Sequence, residues 1–226
     1  VHIEGFITDY DSPLQFVVDG ITVTTTEATI FLNGSIDTLG LDTRLAVSGI
    51  YDDEGLLLAE KIVFRLPSMI RIEADVEAVD IGEAELTVLG IRIRTSDATF
   101  FHDASEADLV EFWLDDLAVG DRVLIRARLQ GSEVLATRLE REEADDQVTL
   151  KAPVERIERP VLMLLGVAVA ARDDTVYRAV DKSVLDGDAF FELVQAGTLV
   201  QAVGAYGGTT ISADKLVIRE CMNSCL

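Results

Sequence analysis

The chain has 226 residues, 49% of them apolar, with 41 acidic residues against 19 basic ones and a formal net charge of −22. That composition excludes intrinsic disorder, and no apolar run reaches the roughly 20 residues that a spanning helix needs. A mean field this negative opposes phosphate backbones and anionic membrane surfaces alike, so neither nucleic acid nor membrane insertion is expected.

The chain opens in strand-like sequence, Ile3-Glu4-Gly5-Phe6-Ile7, without the charged and apolar regions of a signal peptide. A processed or a trimmed start would both read this way. A hairpin follows, turning at Asp19-Gly20, the dipeptide that most strongly signals a tight two-residue turn. Thr29 lies nine residues beyond Gly20 and Phe31 eleven beyond. The same spacing returns in Gly90/Thr99/Phe101 and again in Gly166/Thr175/Tyr177. A second landmark recurs downstream of each, in the strand pairs that carry Ala59, Ala136 and Ala213. Both sets keep their order, which marks a repeat with a period of about seventy residues.

Each repeat reads as five strands. The first hairpin turns at Gly20, Gly90 or Gly166; the second turns at Asp52–Gly55, at Gln130-Gly131 or at Gly207-Gly208. Between strands three and four the copies differ. Residues 34–40 read as a bare loop, Ala104–Leu114 as a short helix with Leu109, Phe112 and Trp113 on one side, and Asp188–Val194 as a second short helix. The predicted fold is all-β with minor helix, three tandem five-stranded OB-like barrels; a pair of small sandwiches is the alternative. The expected boundaries are 1–66, 69–141 and 148–220, followed by a Cys-containing tail, 221–226. Short linkers suggest a semi-rigid rod.

The combination of Ala28-Thr29-Ile30-Phe31 and Ala98-Thr99-Phe100-Phe101, the run Leu117–Val123 (LAVGDRV) and a closing LxAxxL/I strand resembles a bacterial domain of unknown function. That domain occurs as tandem β-barrel repeats in secreted and cell-envelope proteins. The third repeat departs, with Gln195-Ala196-Gly197-Thr198-Leu199 in place of the Val-Gly-Asp-Arg-Val pattern. The resemblance implies an extracellular, cell-surface or periplasmic setting and brings no catalytic residues.

The residues themselves point the same way. His2 and His102 stand in no paired metal-ligand spacing, and no phosphate loop or nucleophile elbow occurs. No enzyme is expected, and no catalytic residue is assigned. For Ca²⁺, the candidate oxygen clusters are Asp9/Asp11, Asp52/Asp53/Glu54, Asp173/Asp174 and Asp186/Asp188, none with EF-hand spacing. Solvated turns are the plainer reading, with Asp52, Asp53 and Glu54 the preferred cation site. Phe112 and Trp113 form either a plug for a barrel mouth or a platform for stacking a ligand. Cys221 and Cys225 suit a small-loop disulfide in an oxidising compartment, with an intermolecular crosslink or a soft-metal or redox site as alternatives. A basic stripe would draw on Arg122, Arg126, Arg128, Arg138 and Arg141. The function expected is that of a structural subunit forming a homo-oligomer or filament through strand edges. A ligand-binding module for glycan, peptide or divalent cation is the alternative.

Overall fold

The computed structural model describes residues 1–41, 43–65 and 68–219. The tail with Cys221 and Cys225 lies outside the described residues. The chain divides into two compact units, Val1–Leu66 and Pro67–Leu226. The architecture is all-β with one short α-helix, arranged in barrel-like sheets of five strands; the succession of β units also reads as a β-solenoid.

In the first unit the strands are β1 (His2–Ser12), β2 (Gln15–Val18), β3 (Ile21–Thr24), β4 (Ile30–Leu32), β5 (Arg44–Tyr51) and β6 (Leu57–Phe64). β1 pairs β2, β2 pairs β3, β3 runs parallel to β6, β6 pairs β5, and β5 returns to β1. The circuit is closed. β4 continues along β6 in the same parallel sense, so β3 and β4 are two pieces of one interrupted third strand. Alternating side chains fill the interior: Ile7, Phe16, Val18, Val23, Leu45, Val47, Leu57 and Ile62 are all buried.

The second unit is a single 12-stranded sheet. Its strands are β7 (Ile70–Asp80), β8 (Glu85–Val88), β9 (Ile91–Arg94), β10 (Phe100–Asp103), β11 (Arg122–Gln130) and β12 (Glu133–Glu142), then β13 (Val148–Glu158), β14 (Val161–Leu164), β15 (Val167–Arg178), β16 (Val184–Leu185), β17 (Leu199–Tyr206) and β18 (Thr210–Arg219). β7-β8-β9-β12-β11 repeats the circuit of the first unit, again with a parallel closure between β9 and β12. β13-β14-β15-β18-β17 repeats it once more, with β15 parallel to β18. The two circuits are joined where Thr149, Leu150 and Lys151 of β13 pair antiparallel with Glu73, Ile72 and Arg71 of β7. One buried apolar cluster runs through both.

The expected turn glycines sit where they are needed. Asp19-Gly20, Leu89-Gly90 and Leu165-Gly166 each have positive φ at both positions (50° and 78°, 55° and 70°, 50° and 76°), the backbone of a two-residue hairpin turn. Leucine in this region costs about 1 kcal/mol or more. Leu89 is only 2% exposed, and burying a leucine contributes about 1.5–3 kcal/mol, enough to offset the strain.

The two repeat landmarks prove to be the two ends of one hydrogen bond. The Thr29 hydroxyl donates to the Ala59 carbonyl (2.7 Å), Thr99 to Ala136 (2.8 Å) and Thr175 to Ala213 (2.7 Å). Each hydroxyl also accepts from a backbone N–H, of Thr26, Ser96 or Arg172. Each alanine adjoins a bulge, between Ser48/Gly49, Arg126/Ala127 and Val203/Gly204 of the facing strand. A bulge locally disrupts the ladder, and the buried threonine takes up the alanine carbonyl there.

The inserts differ from expectation in one case. Gly187–Leu193 forms the α-helix α1, capped by the Asp186 carboxylate accepting from the Ala189 N–H (2.8 Å), in agreement with the predicted helix. Residues 34–40 contain a single 3₁₀ turn, Ile36–Thr38. The helix expected over Ala104–Leu114 does not form; a 3₁₀ turn at Leu114–Asp116 is all that appears. The cause is Asp103, whose carboxylate accepts from the Ser105 and Leu109 N–H groups, while Asp108 adopts a φ of 44°. Side-chain capture of backbone donors competes with the helix, and a left-handed residue breaks it.

Candidate functional site

The variable insert of the middle repeat is built around a buried ion pair. Asp103 ends β10, is 1% exposed, and accepts from Arg141 of β12 through both carboxylate oxygens, with Nε at 3.0 Å from Oδ1. The Ser105 hydroxyl adds a third donor at 2.6 Å. The Arg141 guanidinium and these donors hold the Asp103 carboxyl far below the usual carboxylate range, against the opposing effect of burial. In return, the hydrogen bond to Asp103 raises the Arg141 pKa. Arg141 also lies over the Phe112 ring at 4.8 Å and faces Asp121. This is a structural clamp for the loop, and its charges are already satisfied.

Phe112 and Trp113 separate in space. Phe112 is 4% exposed, belongs to the buried cluster of the second unit and meets Phe101 edge-on at 6.5 Å. Trp113 is 54% exposed and leans on Phe101 at 5.9 Å. A two-ring platform is therefore absent here; the exposed indole stands alone, beside the exposed Leu109 and Val110 in sequence. In α1 Phe190 and Phe191 pack on Tyr177 at 5.1 and 6.2 Å.

The tip at Asp52, Asp53 and Glu54 is exposed, and the Asp52 carboxylate is turned into its own hairpin, accepting from the Glu54 and Leu56 N–H groups. Among the described residues no three His, Cys, Asp or Glu side chains converge as metal ligands. Asp174 pairs with Arg172, and Asp186 caps α1. His102 is exposed and stacks on Phe100 at 6.2 Å, and the His2 Nδ1 lies 3.0 Å from the Ser48 hydroxyl. An open depression lined by Ala179, Val180, Asp181, Leu193 and Ile218 brings a single carboxylate.

The basic stripe is divided by the fold. Arg122 is 5% exposed, donates to the Gln147 carbonyl and pairs with Asp75. Arg141 is spent on Asp103, and Arg128 reaches Gln130. Arg126 and Arg138 remain on the outer face, directly opposite each other on β11 and β12. Sequence reading missed the cations that join them from other strands, Arg71 of β7, Lys151 of β13 and Arg219 of β18. No local signal marks these, because each is a single polar residue in an alternating strand.

Fold and site together define an all-β chain of tandem barrel-like units. The description "Domain of unknown function (DUF5666)" matches residues 4–63 and again 73–140. These matches span more than half of the chain, which therefore belongs to that family. No curated protein matches it. Among solved structures, a multidomain protein with nucleic acid binding domains from Streptococcus pneumoniae TIGR4 is similar at 12% identity, over 99% of this chain and 74% of that one, with a TM-score of 0.19. At that score the likeness carries no argument. No helix among the described residues is long and apolar enough to cross a membrane.

Proposed function

We propose that the chain is a non-enzymatic structural subunit of three OB-like barrels that self-assembles through strand edges, in an extracellular or cell-envelope setting. What supports the OB-like reading is the strand circuit, in which the first strand pairs with the second and fourth and the third runs parallel to the fifth. The setting is carried over from the family resemblance.

The observation that carries the assembly reading is the register between β7 and β13. Ile72 lies opposite Leu150, and these two residues hold the same position in their circuits, four before Val76 and Val154. The contact is therefore pseudo-symmetric: one edge of the repeat pairs with the same edge of another. In β1 that position belongs to Ile3, four before Ile7, and among the described strands β1 pairs only with β2 and β5. The same edge can take a second copy of the chain in the same antiparallel sense, and edge pairing of this kind gives main-chain hydrogen bonds without a preformed pocket. Sedimentation of the full chain over a hundred-fold concentration range tests the proposal. A mass that rises above that of one chain is expected; a single monomeric species throughout overturns it.

A further inference from the structure

Cross-strand registers assemble a row of cations on the outer face of the 12-stranded sheet. Arg138 of β12 lies opposite Arg126 of β11, Arg126 opposite Arg71 of β7, Arg71 opposite Lys151 of β13, and Lys151 opposite Gln201 of β17. Directly opposed residues share a face, and neighbouring strands lie about 4.8 Å apart. The inner face at these rungs is occupied by Ile72, Ile125, Leu150 and Val200, all buried, so the row points outward. Arg219 extends it, donating from Nε and Nη2 to the Gln201 side-chain oxygen at 2.9 and 2.7 Å.

Two of these cations have carboxylates of their own, Arg138 with Glu140 and Arg71 with Glu73. Arg126 and Lys151 make no ion pair with any described residue, in a protein with 41 acidic side chains. Lys151 is partly buried; that burial lowers its pKa, and Arg219, Arg71 and Arg126 lower it further. Like charges held together in this way repel one another, and an anion seated between them relieves the repulsion. The row crosses the β7–β13 junction, so it exists only because the two circuits share a sheet.

We propose that the row Arg138–Arg126–Arg71–Lys151–Arg219 is a binding site for a linear acidic polysaccharide, its carboxylate or sulfate groups lying along the strand-to-strand direction. This goes beyond the assembly reading and does not depend on it. A glycan is favoured over single-stranded nucleic acid by the absence of stacking partners. Single-strand binding draws on bases stacked on aromatic faces; here no aromatic residue interrupts the row, and at its end the Phe100 ring is engaged by Arg138 at 4.8 Å and by His102 at 6.2 Å.

The test is titration calorimetry of the full chain at low salt with polygalacturonate, heparin and an oligo(dT) strand. Saturable binding to polygalacturonate or heparin that weakens as salt screens it is expected. The double variant Arg126→Gln/Lys151→Met lowers that affinity at least ten-fold. The control Arg92→Gln/Arg156→Gln, which removes two exposed charges elsewhere in the second unit, leaves it unchanged. In the unaltered protein, the Lys151 ammonium followed by NMR shows its pKa rising on saturation, a readout that needs no variant to fold. Failure of both polysaccharides to bind, equal losses in the two double variants, or an unmoved Lys151 titration overturns the site. Tighter binding of oligo(dT) than of either polysaccharide overturns the glycan assignment.

Discussion

The threonine-to-alanine hydrogen bond gives the sharpest test of how the repeat is held together. Replacing Thr99 by valine keeps the side-chain volume and removes the hydroxyl. Two bonds are lost, the one donated to the Ala136 carbonyl at 2.8 Å and the one accepted from the Ser96 N–H at 2.9 Å. A typical hydrogen bond contributes about 0.5–1.5 kcal/mol net, and a buried group left without a partner costs about 1–3 kcal/mol. Thr99 is 5% exposed, and the Ala136 carbonyl beside it lies at a bulge where the ladder is interrupted. The expected loss is about 2–4 kcal/mol. Urea unfolding of the full chain, monitored by circular dichroism, measures it as a lower midpoint with an unchanged slope. The same substitution at Thr175 in the third repeat would give a loss of similar size. A change below about 0.5 kcal/mol at both positions would refute the assignment of this bond as a structural pin.

The buried pair predicts an acid limb. Because Asp103 is held below its unfolded value, its contribution is complete above the ordinary aspartate pKa of about 3.9 and is lost as pH falls below it. Asp103→Asn leaves Arg141 with only the more distant Asp121 carboxylate, costs about 3 kcal/mol at neutral pH, and flattens the stability profile between roughly pH 4 and pH 2. Chemical denaturation at stepped pH values checks both effects. The two neighbouring aromatics should behave oppositely: Phe112→Ala costs about 3–5 kcal/mol as a lost core side chain, whereas Trp113→Ala, at 54% exposure, changes stability by less than about 1 kcal/mol. Thermal melts of the two variants distinguish them.

Most of the repeat was legible in the sequence, because turn glycines and alternating core residues act locally. Gly20, Gly90 and Gly166 could be placed in turns from spacing alone, and helix α1 from its place between strands three and four of its repeat. The middle insert was misread because Leu109, Phe112 and Trp113 have helical spacing, while the controlling residue, Asp103, precedes them and is fixed by Arg141, 38 residues downstream. Thr99 and Ala136 were visible as landmarks, but their bond spans 37 residues and no periodicity reports it. The cationic row is less legible still. Its members come from five strands, and only the register of β7 on β13 brings Arg71 opposite Lys151.

That register also bears on how the chain is made. β7 is synthesised well before β13, so its edge at Arg71–Glu73 waits for a partner lying 76 residues further on, from Glu73 to Thr149. An edge left open during synthesis is where nascent chains aggregate. A cation and an anion at its two flanking positions make it a poor template for strangers. The charges that line the finished sheet would then serve first as guards of an unfinished one.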